Sequence, residues 1–100
     1  MKLKDNIKKP LLIVYTIDNN IERAQLLLDC EFNVNIIYDG NWTSLMWASI
    51  NGYIETVKLL LECGADITIK DKWNKTALYF AKKHNHTEII NLLEAYEAKK

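Results

Sequence analysis

The stretch TSLMWASINGYIETVKLLLECGAD, residues 43–66, decides how the rest of the chain is read. Shifted by 33 residues, it overlays the C-terminal third of the chain: Thr43 falls on Thr76, Leu45 on Leu78, Ala48 on Ala81, Glu55 on Glu88, and Leu59-Leu60 on Leu92-Leu93. The same shift in the other direction puts Leu12 under Leu45, Ile21-Glu22 under Ile54-Glu55, and Cys30 under Cys63. A period of this length marks a repeat array, in which no unit buries its apolar face alone.

Each unit reads as two short helices and a turn. Thr43 precedes SLMWASIN, where Leu45, Ala48 and Ser49 recur at helical spacing, and its hydroxyl is placed to cap the free N–H groups. Gly52 breaks that helix. After it, YIETVKLLLECG sets Ile54, Val57, Leu60 and Leu61 on one face and Glu55, Lys58 and Glu62 on the other, and Gly64 supplies a left-handed stop.

WTSLMWASINGYIETVKLLLECGADI and KTALYFAKKHNHTEIINLLEAY resemble the ankyrin repeat, strongly over residues 38 to about 96 and more loosely over 10–37. Met46 and Tyr79 stand at the family's histidine, Ser44 and Ala77 at its proline, and Asn85 at its turn glycine. The resemblance implies an all-α solenoid of three stacked helix-turn-helix units. β-hairpin-like fingers would centre on 35–42 and 68–75. One domain over 1–100 is expected, with repeats at about 5–37, 38–70 and 71–100.

The expected core is Leu12, Ile21, Ala24, Leu27, Leu28, Leu45, Trp47, Ala48, Ile54, Val57, Leu60, Leu61, Leu78, Phe80, Ala81, Ile89, Ile90, Leu92 and Leu93. Glu94 replaces the leucine of the earlier copies, and LLEAYEAKK runs out as a charged, capping helix. The first copy is different. LLIVYTI is apolar nearly all round and is expected to leave Ile13 or Val14 toward solvent, covered by the basic N-terminal segment or by another molecule.

Composition narrows the function. Formal net charge is zero, so the whole chain has no electrostatic pull toward nucleic acid or anionic membrane. The apolar run ends at Asp18, too short to span a bilayer, and no small-residue cleavage site comes after it, so a cytoplasmic protein is expected. Cys30 and Cys63 sit in adjacent copies, whose helices pack ~8–10 Å apart, beyond disulfide reach. They read as free, partly buried thiols of a reducing compartment.

Catalytic and metal chemistry find little support. His84-Asn85-His86 lies at a turn between helices, and two histidines do not complete a zinc shell. Resemblance implies that His86 bonds the backbone of the neighbouring unit. Ser44 and Ser49 have no base placed beside them, and Glu55 and Glu88 are repeat positions. Three scattered glycines form no phosphate loop. The reading is a non-enzyme without cofactor or metal.

Binding is left. Ankyrin resemblance implies a concave surface built from finger tips and the exposed side of each first helix. Position by position, this places Asp39, Gly40 and Trp42 on one finger, Lys72, Trp73 and Lys75 on the next, and Ile50, Asn51, Lys83 and His84 along the helices. Trp42 and Trp73 stand where the pattern asks for nothing apolar; each either anchors a partner or packs on the neighbouring finger. Lys70, Lys72, Lys75, Lys82 and Lys83 are offset locally only by Asp71, which favours an acidic protein segment as partner. Nucleic acid is disfavoured because the patch has no arginine, Arg23 being the only one in the chain. The expected state is a monomer or weak homodimer, with self-assembly through the apolar first copy as the alternative function. LLDCEFNVN also resembles the context in which some ankyrin proteins are hydroxylated on asparagine, here Asn35.

Overall fold

The computed structural model describes residues 10–29 and 32–99. Helices α1 (Leu11–Ile17) and α2 (Ile21–Asp29) form the first pair. A two-residue strand β1 (Ile37–Tyr38) then pairs antiparallel with β2 (Trp42–Thr43), in the register Ile37 to Thr43 and Tyr38 to Trp42. Helices α3 (Ser44–Asn51) and α4 (Ile54–Glu62) form the second pair, and α5 (Ala77–Lys83) and α6 (Thr87–Ala98) the third. First helices pack on first helices, α1 on α3 and α3 on α5; second helices do likewise, α2 on α4 and α4 on α6.

Local chemistry sets the helix bounds. Thr43 Oγ1 accepts from Met46 N at 3.2 Å and Thr76 Oγ1 from Tyr79 N at 3.3 Å, each satisfying a free donor of the first turn. Pro10, in the corresponding place before α1, offers no side-chain cap. The turn inside every pair passes through one left-handed residue at the same repeat position: Asn19 (φ 53°), Gly52 (φ 75°) and Asn85 (φ 58°). Asparagine is the L-residue that best tolerates this region, so Asn85 keeps the turn that the departure from glycine put in question.

The repeat also sets the joints between pairs. Tyr53 and His86 are equivalent positions. The Tyr53 hydroxyl lies 3.5 Å from Ile17 O, and a ring nitrogen of His86 lies 3.1 Å from Ile50 O, so each reaches the carbonyl at the end of the preceding first helix. The structural role expected for His86 holds.

Between the layers lie Leu12, Ala24, Leu28, Leu45, Ala48, Val57, Leu60, Leu61, Phe80, Ala81, Ile89 and Leu93, all buried as expected. Leu27, Ile54, Leu78, Ile90 and Leu92 pack against this core but are only partly buried. Ile21 departs from expectation: it opens α2 at the edge of the stack and is 37 % exposed. Of Ile13 and Val14, one of which is expected to face solvent, Ile13 is fully buried and Val14 half-buried, and Leu11 at 50 % exposure is the most open apolar residue of α1. Periodicity alone does not fix the phase of a seven-residue helix that is apolar on every side. Residues 1–9, the segment expected to cover this end, lie outside the described residues.

Candidate functional site

The expected site is built on one buried carboxylate. Asp71 is 5 % exposed, and its two oxygens collect three N–H donors. Oδ1 accepts from Trp73 N and Lys75 N, both at 2.9 Å, and Oδ2 accepts from Trp42 Nε1 at 3.0 Å. Asp71 N donates to Lys75 O, which closes the turn. A buried charge costs little only when its lone pairs are filled, and this one is filled across the joint. A second link, Lys72 N to Gly40 O at 2.9 Å, joins the same two loops.

Trp42 is therefore not a free anchor. Half-buried, its ring packs on Trp47 (centroids 4.7 Å) and Phe80 (4.6 Å), and its N–H is spent on Asp71. Trp47, expected in the core, is half-buried beside it. Trp73 differs: it is 63 % exposed, and it leans over Gly40, where an added β-carbon would lie 3.4 Å from the indole. Of the two tryptophans, one packs inward and one is presented.

The five lysines divide. Lys72 Nζ sits 4.8 Å from the centre of the Trp73 ring, and Lys75 Nζ and Lys83 Nζ lie 4.5 and 6.0 Å from the centre of Tyr79. These three have no carboxylate within ion-pair distance among the described residues. Lys82 is drawn off to Glu94 on α6 at 3.7 Å. Lys70 lines a separate hollow of about 220 Å³ with Ile67, Leu78 and Glu97. The lopsided charge seen in sequence is thus three lysines wide.

Tyr79 is the residue that sequence reasoning passed over as a departure from the family pattern. It is 37 % exposed, stands edge-on to Phe80, and carries two of the three free cations. Part of the signal was present: Tyr79 and Lys83 are spaced four apart on one side of α5, while Lys75 reaches the same ring from the loop just before the helix.

The remaining expected residues stand on the hairpin turn and at the ends of the first helices. Asp39 is exposed in the hairpin turn (φ 48°), one residue before the Gly40 that receives Lys72. Asn51 is exposed at the end of α3, its amide donating to Trp47 O at 2.9 Å. His84 is exposed at the end of α5 and stacks on His86 at 6.1 Å, on the turn rather than among the lysines. Ring contacts and loop bonds bring Lys72, Trp73, Lys75, Tyr79 and Lys83 together. Trp42 supports them from beneath.

Other motifs settle into structural places. Ser44 and Ser49 are fully buried in α3. Among the described residues no group of three or more His, Cys, Asp or Glu is placed to hold a metal ion, and no helix is long and apolar enough to cross a membrane. Cys63 is exposed, not partly buried; Cys30 lies outside the described residues. Asn35 Oδ1 accepts from Asp66 N at 2.8 Å, tying the first loop to the second.

A family model described as ankyrin repeats in three copies matches residues 1–71. The chain belongs to the ankyrin repeat family. The match covers the looser first copy as well as the second, while the similarity of the third copy rests on its register with them. Ankyrin repeats are generally protein–protein interaction modules and are typically non-enzymatic. No curated protein matches the chain.

Proposed function

We propose that the chain is a non-catalytic protein-interaction module, a three-unit ankyrin solenoid forming one domain over 1–100 in the cytoplasm. Its partner would dock on the finger tips and the open side of the first helices: Asp39, Trp42, Asn51, Lys72, Trp73, Lys75, Lys83 and His84. The observation that carries this reading is Trp73. A large aromatic side chain left 63 % exposed on a loop fixed by a buried carboxylate is a preorganised anchor of the kind that dominates interfaces. Trp42 contributes by holding that loop.

The test is crosslinked capture from native extract with wild type and Trp73→Ala, followed by mass spectrometry. A protein retained by wild type and lost by a Trp73→Ala variant of unchanged circular dichroism supports the reading. Identical capture by both removes it.

A second reading has its own observation. Leu11 (50 %), Leu26 (65 %) and Phe32 (50 %) are exposed on the first copy, and Tyr15, Glu22, Arg23, Leu26 and Leu27 line a shallow hollow there. Self-association through this end would cover the apolar surface exposed there among the described residues. Light scattering separates the two readings: a dimer lost on Leu26→Glu favours assembly.

A further inference from the structure

We propose that the segment docking on this surface is acidic, its carboxylates held by two lysine–aromatic clamps, Lys72 with Trp73 and Lys75 with Tyr79 and Lys83. The proposal rests on the partner-binding reading and adds to it the chemistry of the partner.

The fold withdraws the carboxylate of Asp71 from this surface. Asp71, the only acid among these lysines in sequence, is buried and saturated by three N–H donors, so it presents no charge to a ligand. Glu94 is engaged by Lys82 on another side. Lys72, Lys75 and Lys83 are left without an ionic partner among the described residues, and the exposed acid Asp39 sits in the hairpin turn whose Gly40 O receives Lys72 N. An unpaired cluster of cations on a neutral protein is a local field of one sign, which attracts anions and repels basic segments.

The clamps make this field structured. Each ammonium rests against a ring face, 4.8 Å from Trp73 or 4.5 and 6.0 Å from Tyr79, which favours a small set of rotamers and lowers the ordering cost of an ion pair. Lys75 and Lys83 share one ring, so their charges are at most about 10.5 Å apart, the sum of those two distances. Neighbouring carboxylates of an extended peptide, with successive residues about 3.5 Å apart and alternate ones on the same side, suit that spacing. Exposed indole beside them takes an apolar side chain of the same segment.

Lysine interleaved with aromatics also suits single-stranded nucleic acid. Three free cations and no arginine are few for tracking a phosphate backbone. The peptide fits better.

The experiment is selection of a random 12-residue phage-displayed peptide library on the full chain, with the winning peptides resynthesised and measured by Trp fluorescence. The expected winners carry several Asp or Glu residues and weaken roughly tenfold or more between about 50 and 300 mM salt. They are expected to lose a similar factor on Lys75→Glu/Lys83→Glu, and less on Lys75→Gln/Lys83→Gln, with circular dichroism unchanged. Neutral or basic winners that still require Trp73 overturn the acidic proposal and leave the partner-binding reading standing. Winners indifferent to Trp73→Ala and to both lysine pairs overturn both. A poly-dT oligonucleotide that displaces the peptides with equal or higher affinity replaces the acidic segment with nucleic acid.

Discussion

The two joints of the stack are built differently. Between the first and second pairs the links are neutral and modest: Tyr53 to Ile17 O at 3.5 Å, Thr56 Oγ1 to Asn19 Oδ1 at 2.9 Å, and Asp66 N to Asn35 Oδ1 at 2.8 Å. Between the second and third, an imidazole, a buried carboxylate and an aromatic stack of Trp42, Trp47 and Phe80 do the joining. The proposed partner surface is mounted on the second joint. Presenting a rigid anchor requires that its support not open, and the more heavily built joint is where the exposed tryptophan sits.

Cutting one link in each joint should show the asymmetry at full size. Asp71→Ala leaves Trp42 Nε1 and two backbone amides without their acceptor and is expected to cost about 3 kcal/mol, since bonds to a charged acceptor are the strong ones. Thr56→Val at the first joint removes one neutral bond and should cost about 1 kcal/mol. Urea melts give both. Equal losses would mean that the joints are equivalent despite their chemistry.

A slightly smaller effect is expected at Gly52→Ala. The position is left-handed, and an added β-carbon would lie 2.8 Å from His86 Cε1. Backbone strain of about 1–2 kcal/mol adds to a steric term that depends on the imidazole. In a His86→Ala background only the backbone part should remain, so the double-mutant cycle should give about 1 kcal/mol of coupling. Additive losses would show that the ring moves away freely.

The repeat was legible because it rests on spacing. Thr43 and Thr76 cap where their positions say they should, and His86 reaches the preceding unit as its place in the pattern requires. The bond between Trp42 and Asp71 was not legible, since 29 residues separate them and nothing in the pattern pairs an indole with a carboxylate. An aspartate with a left-handed asparagine three residues on, here Asp71 and Asn74, does carry a turn signal that could have placed that carboxylate inward. Counting charges along the chain missed the division of the lysines for a similar reason: Lys82 finds Glu94 on a different helix. At the first copy, a short helix with apolar residues on every side gave no phase between Ile13 and Val14, and Ile21, expected in the core, lies at the exposed start of α2.

Hydrogen exchange should order the pairs without any mutation. Pro10 offers no cap, Leu11 and Leu26 are exposed, and α1 and α2 together bury fewer side chains than α3 and α5 do. Amides of α1 and α2 are expected to exchange roughly tenfold faster than those of α3 and α5, a difference of ~1.4 kcal/mol. Uniform protection would make the stack a single cooperative block.

The smallest effect reads the first joint from a single atom. Partial desolvation of its sulfur, then the carboxylates of Asp29 from the first pair and of Glu62, push the Cys63 thiol up from its ordinary value. The folded state therefore favours the protonated thiol. Its contribution to stability is fully present below the ordinary thiol range and is lost as pH rises through that range and past the raised folded value, because the unfolded chain then holds fewer protons. The sulfur is exposed, so the contribution to stability is slight, but the chemistry is easy to track. Only thiolate is alkylated rapidly, so in a Cys30→Ser background iodoacetamide should label Cys63 more slowly at pH 8 than it labels an unstructured cysteine peptide. Asp29→Asn should move the midpoint of the rate-versus-pH curve down, because one of the two charges opposing the thiolate arrives from the neighbouring pair. An unmoved midpoint would mean that the end of α2 is undocked from α4 in solution, placing the weakness of the first joint at its last turn.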